Sequence, residues 1–79
     1  MRLDKYLKVS RIIKRRTLAN EACVAGKIIV NNKVAKSSYE VKVNDIIEIR
    51  FGNNLTKIEV LSLNESIKKE DTNLMYKVL

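Results

Sequence analysis

A chain of 79 residues, 46% hydrophobic and 32% charged, supports one small core and is too short for a deep cleft framed by two layers and a lid. His is absent, Cys23 stands alone and no Gly-rich phosphate loop occurs, which argues against an enzyme, a metal centre or a bound cofactor. The net charge of +7 is concentrated: residues 1–16 hold seven bases and one acid, net +6, while the nine bases and eight acids that follow leave +1, and such a field favours a polyanion.

Residues 2–9, RLDKYLKV, read as a short helix, with Leu3, Tyr6 and Leu7 at i, i+3, i+4 spacing. Arg2, Lys5 and Lys8 fall on the other side, and Asp4 lies in the first turn, where a negative charge suits the helix dipole. Tyr6 shares the Leu3 and Leu7 side and is read as core. Residues 10–16 form a connector anchored by Ile12 and Ile13. A second helix runs from Arg16 or Thr17 to Ala25, with Thr17 as a candidate cap, Leu18, Ala22 and Ala25 as its inner stripe, Ala19 beside them, and Gly26 just past its end.

From Lys27 the period becomes two. KIIVNNKVAK reads as strand, turn, strand, and Asn31-Asn32 supplies the positive φ of a tight hairpin. YEVKVNDIIEIRF reads as a strand pair or as turn and strand, with Asn44-Asp45 as the turn. A further turn at 52–54 leads into LTKIEVLSL, an alternating strand with Ile58 and Val60 on one side. Residues 64–79 read as a tail that forms a short helix or docks loosely and frays. The expected fold class is α+β, two short N-terminal helices on a small, mainly antiparallel sheet, with a domain at 1–63 and the tail at 64–79. The longest apolar run, Ala22 to Ala25, is far short of the ~20 residues of a membrane span. No apolar segment follows the basic start as a secretory signal requires, so the expected compartment is the cytoplasm.

Lys14, Arg15 and Arg16 stand at the start of the second helix, where positive charge opposes the dipole. The first helix repeats the arrangement with the N-terminal amine and Arg2. Helix N-termini carry unpaired N–H groups that bind anions, so a phosphate there turns an unfavourable charge into a contact. With so few acids in the remainder, these arginines are expected to lack internal partners. Replacing Arg2 or Arg16 is then expected to weaken binding without loss of stability. Four aromatic residues, Tyr6, Phe51, Tyr39 and Tyr76, are too few for base stacking on single strands, so shape and phosphate readout of structured RNA is favoured.

The stretch RLDKYLKVSRIIKRRTLANEACVAGKIIVNNKVAKSSYEVKVNDIIEI resembles the S4-type (αL) RNA-binding domain. Arg-Leu-Asp-Lys opens the first helix, a basic connector and an Ala-rich helix follow, and Gly-x-Ile-x-Val-Asn leads into the hairpin. Asn32 stands where that family usually has Gly, and Asn44-Asp45 where Pro-Gly-Asp is common. The opening, the strand ending IRFG and the tail KKEDTNLMYKVL are similar to the bacterial ribosome-associated quality-control protein P family, a stand-alone group related to the small heat-shock ribosome-binding proteins. That resemblance implies binding to obstructed 50S subunits that hold peptidyl-tRNA, with contacts to 23S rRNA and the P-site tRNA. It further implies support of alanine tailing by a partner that recruits alanyl-tRNA. The expected RNA-binding residues are Arg2, Lys5, Lys8, Arg11, Lys14, Arg15, Arg16, Asn31 and Lys36, in a monomer with no membrane partner.

Two alternatives stand beside this reading. One is a heat-shock-type 50S recycling factor on the same particle. The other is a DNA-binding helix-turn-helix module. Against the second, the connector over 10–16 exceeds that motif's turn of about 3–4 residues, and the segment from Leu18 to Ala25 has no Arg, Lys or Gln to read bases. Cys23, without a His to activate it, is expected to be a packing residue.

Overall fold

The alternation that begins after Gly26 becomes a five-stranded antiparallel sheet, covered on one face by the two helices. The structure is a computed structural model that describes residues 1–79. Along the chain come α1 (Leu3–Val9), α2 (Arg16–Val24), β1 (Ile28–Val30), β2 (Lys33–Val34), β3 (Ile46–Phe51), β4 (Asn54–Val60), a 3-10 turn (Lys69–Leu74) and β5 (Tyr76–Val78). The strand order is β2-β1-β3-β4-β5. Ile28 and Val30 of β1, Ile47 and Ile49 of β3, and Ile58 and Val60 of β4 turn one face to Leu3, Tyr6 and Leu7 of α1 and to Ala19, Ala22 and Cys23 of α2. On the opposite face Glu48 lies across from Lys57 and Glu59 from Lys77, an opposite-charge ladder suited to water.

The second helix is rotated from the expected stripe. Ala19, Ala22 and Cys23 are buried, whereas Leu18 and Ala25 are exposed. Every position from Ala22 to Ala25 is apolar, so two overlapping stripes were available, and close approach to α1 selects the one made of the smallest side chains. The cap also differs. Arg15 is the N-cap residue, with no side-chain cap bond, and Thr17 lies inside the first turn. The C-terminus follows expectation: Gly26 has φ 74°, and the N–H groups of Gly26 and Lys27 donate to the carbonyls of Cys23 and Ala22, the double closure that a left-handed residue permits.

In the β1–β2 hairpin Val30 pairs with Lys33, and both intervening residues have positive φ, 50° at Asn31 and 71° at Asn32, as a type I′ turn requires. Of the two readings of YEVKVNDIIEIRF, turn and strand is the one found. Residues 39–41 run beside the N-terminus, Tyr39 accepting from the Leu3 N–H and Val41 donating to the Met1 carbonyl. The strand itself starts at Ile46. Buried Asp45 holds the bend, accepting from the Asn31 amide at 3.0 Å, the Tyr39 hydroxyl at 2.9 Å and the Lys42 N–H at 2.9 Å.

Residues 76–78 do not fray. They form β5, with Val60 opposite Tyr76 and Ile58 opposite Val78, and so cover the edge β4 would otherwise expose. Met75 is fully buried, and its carbonyl accepts the Tyr6 hydroxyl at 2.8 Å. A three-residue strand has too short an alternation to be read alone; its partner edge is what defines it.

Candidate nucleic-acid interface

The two helix starts are not equivalent. At α1 the Leu3 N–H donates to the Tyr39 carbonyl at 2.8 Å and the Asp4 N–H to the Ser37 carbonyl at 3.2 Å. The Lys5 N–H donates to Asp4 Oδ1 at 2.8 Å. The N-terminal amine is paired with Glu40 at 2.8 Å, and this pairing holds the Glu40 carboxyl below the usual carboxylate range. The expected anion site at the start of α1 is therefore closed by the protein's own carbonyls, because the turn at 36–39 folds back over it. At α2 the N–H groups of Arg16, Thr17 and Leu18 donate to no group of the protein, so this terminus is open.

Asp4 joins the two helices electrostatically. It is 3% exposed, and it receives Arg2 Nε on Oδ1 at 3.3 Å and Arg16 Nε on Oδ2 at 3.4 Å. Burial alone would raise its pKa; the Arg16 contact, the Lys5 N–H and the charge of Arg2 outweigh that and hold the carboxyl below the usual aspartate range. The expectation that these arginines lack an internal partner is thus corrected. The partner is Asp4, the one acid of the basic segment, whose place in the first turn of α1 suggested only an interaction with the helix dipole and which helix packing brings to Arg16. Both arginine side chains remain about half exposed, at 47% and 49%. One carboxylate against two guanidinium groups leaves positive charge directed outward, and Arg15 beside them is exposed without an acid partner.

The remaining candidates fall into four groups. Lys36 is exposed, next to Ser37, whose hydroxyl accepts from the Asn20 amide of α2 at 3.0 Å, and it lines a cleft with Cys23 and Val24 towards the far end of α2. Lys5 pairs with Glu65 at 3.0 Å. Lys8, Arg11 and Lys14 line a cleft together with Lys69; no local pattern marks Lys69, which arrives from the C-terminal segment. Asn31 is engaged internally: besides its bond to Asp45, its Oδ1 accepts the Ile46 N–H at 2.9 Å. Cys23 is buried, and burial together with the charge of Asp4 pushes its thiol up to about 11, the reverse of what a nucleophile needs. No helix is long and apolar enough to cross a membrane.

Residues 1–47 match the S4 domain family. The chain is 60% identical over 79 residues to the RQC P-site tRNA stabilizing factor of Streptococcus pneumoniae, covering 100% of this chain and 90% of that protein. It is 51% identical over 78 residues to the protein of the same name from Halalkalibacterium halodurans, covering 99% and 89%. Among solved structures, trimeric heat shock protein 15 of Vibrio cholerae matches with a TM-score of 0.92 at 28% identity, over 100% of this chain and 81% of that one.

Proposed function

We propose, because this chain belongs to the S4 domain family and within it to the RQC P-site tRNA stabilizing factors, that it is a non-enzymatic RNA-binding factor of ribosome-associated quality control. It binds obstructed 50S subunits that carry peptidyl-tRNA, touches 23S rRNA and the P-site tRNA, and supports alanine tailing of the stalled chain by a partner that recruits alanyl-tRNA. It acts in the cytoplasm as a monomer.

The observation that carries this reading is the corner where Asp4 gathers Arg2 and Arg16 beside Arg15 and the open N-terminus of α2. Exposed guanidinium forks and free N–H groups on one surface suit a phosphate backbone. Lys5, Lys8, Arg11, Lys14 and Lys36 extend the cationic surface, and Asn31 contributes by fixing the hairpin that precedes Lys36. The outward face of α2 beyond Arg16, with Thr17, Leu18, Glu21 and Val24 exposed, offers no Arg, Lys or Gln to read bases, which disfavours the DNA-binding alternative.

A tagged copy is expected to sediment with 50S particles that carry tRNA and not with 30S subunits or 70S ribosomes. Recovery with 30S subunits or chromosomal DNA would sink the proposal. The likeness to heat shock protein 15 over the whole chain favours a second reading, 50S recycling without a role in tailing. Loss of alanine tails on gene deletion supports the first reading; intact tails with accumulated tRNA-bearing 50S particles support the second.

A further inference from the structure

The last turn of α1 closes through the N–H groups of Arg11 and Ile13, which donate to the carbonyls of Lys8 and Leu7 at 3.0 Å each. This closure needs a left-handed residue just past the helix. At the end of α2 that place is taken by Gly26; at the end of α1 it is taken by Arg11, at φ 63°. The conformation strains an arginine and not a glycine, so position 11 keeps a guanidinium against the local preference of the backbone.

Arg11 lines a cleft of about 380 Å³ whose other lining residues are Lys8, Lys14 and Lys69. Local folding at the end of α1 brings the first three together, and Lys69 comes from the far end of the chain. The Lys5–Glu65 pair ties its segment to α1 one turn earlier. One turn further along α1 from Lys5 stands Lys8, and four residues on from Glu65 stands Lys69, where an acid would have repeated the pairing. Glu70 and Asp71 follow directly in sequence but line no part of the cleft. None of the four cations is in an ion pair. Four like charges around one cleft repel one another, and a bound anion relieves the repulsion.

We infer that Lys8, Arg11, Lys14 and Lys69 form a second phosphate site, separate from the Arg2–Arg15–Arg16 corner, in which the C-terminal segment grips the backbone of structured RNA. The inference rests on the RNA-binding reading above. Arg2 and Lys8 are six residues apart, about 9 Å along α1, so the two clusters engage different phosphates. The lining holds no aromatic ring and no acceptor side chain, so the ligand is the phosphate and not a base. Two rigidly spaced cationic clusters measure backbone shape, the feature by which structured RNA is recognised.

The test measures affinity of the full chain for purified 50S subunits with bound tRNA over a range of KCl. Lys69→Ala is expected to weaken binding roughly three- to tenfold and to make the log–log salt slope shallower by about one. Its melting temperature should stay level or rise, since repulsion is removed, and Lys69→Arg should bind like the parent. Combined with Arg11→Ala the loss should fall short of the product of the single losses; combined with Arg15→Ala it should equal that product. Parent-like affinity and slope in Lys69→Ala, or an equal loss in Lys77→Ala, overturns the cleft and leaves the RNA-binding reading standing. A parent protein that does not bind 50S subunits overturns both.

Discussion

Asp4 sets how the arginines around it behave on substitution. Its folded-state pKa lies below the ordinary aspartate value of about 3.9. As pH falls, the unfolded chain takes up this proton first. The contribution is therefore complete above about pH 4 and is lost as pH drops through the lower folded value. Asp4→Asn is expected to lower the melting temperature at pH 7, with the gap to the parent closing as pH falls below about 4; a gap independent of pH would show that the carboxylate charge is not what matters. Arg2→Ala and Arg16→Ala should each weaken 50S binding by at least ~1–2 kcal/mol, the value of a charge-assisted hydrogen bond. Each should also destabilise the free protein by no more than ~1 kcal/mol, because the pairs are half exposed and screened. Arg15→Ala separates the two effects: it has no acid partner, so binding should fall while thermal stability holds. Cys23→Ala should leave binding intact at a cost of about 1 kcal/mol in stability, and the buried thiol of the parent should resist alkylation at pH 8.

The β1–β2 hairpin and β5 show how elements depend on distant partners. Asn31 and Asn32 are neighbours with the same backbone sign, yet their substitutions should diverge. Asn32 makes no side-chain bond in the structure, so Asn32→Gly relieves left-handed strain and is expected to be neutral or stabilising by about 0.5 kcal/mol. Asn31→Gly removes the two bonds to Asp45 and Ile46 and should destabilise by about 1–2 kcal/mol; chemical denaturation of both variants decides this, and equal effects would refute it. At β5, Met75→Ala should cost about 2–5 kcal/mol for a fully buried side chain. Tyr6→Phe, which removes one donor from a Met75 carbonyl that still accepts the Leu61 and Ser62 N–H groups, should cost about 0.5–1.5 kcal/mol. In both, amide exchange should quicken in β4 as well as β5, since the two strands share one ladder. Exchange confined to 76–79 would mean that the last strand is an ornament on a stable four-stranded sheet.

Taken as one object, the molecule is electrically divided. The outer sheet face carries balanced charge, with Lys57 opposite Glu48 and Lys77 opposite Glu59, while the helices, their connector and Lys69 carry the excess. Lys57→Ala and Lys77→Ala should therefore change neither binding nor melting appreciably. If about five phosphates are neutralised, the binding constant should fall with salt at a log–log slope of about −4 to −5, by analogy with about 0.9 per contact on duplex DNA. A slope near zero would remove the cationic side of the molecule from the contact.

The amino-acid sequence by itself determines whatever is encoded within a few residues. The Leu3, Tyr6 and Leu7 stripe, the Asn31-Asn32 turn, the stop at Gly26 and the Ile58, Val60 face each depend on a period or a dihedral preference that acts locally, and the charge of the first sixteen residues needs only counting. The rest required packing. The rotation of α2 was undetermined because its apolar residues offered two stripes of similar hydrophobicity, and only the fit against α1 and the sheet favours Ala19, Ala22 and Cys23. Asp4 reaches Arg16, the carbonyls of Ser37 and Tyr39 close the start of α1, and Lys69 completes its cleft across separations that no local preference spans. A three-residue strand such as β5 exists because the free edge of β4 supplies the hydrogen-bond partners that its own sequence cannot.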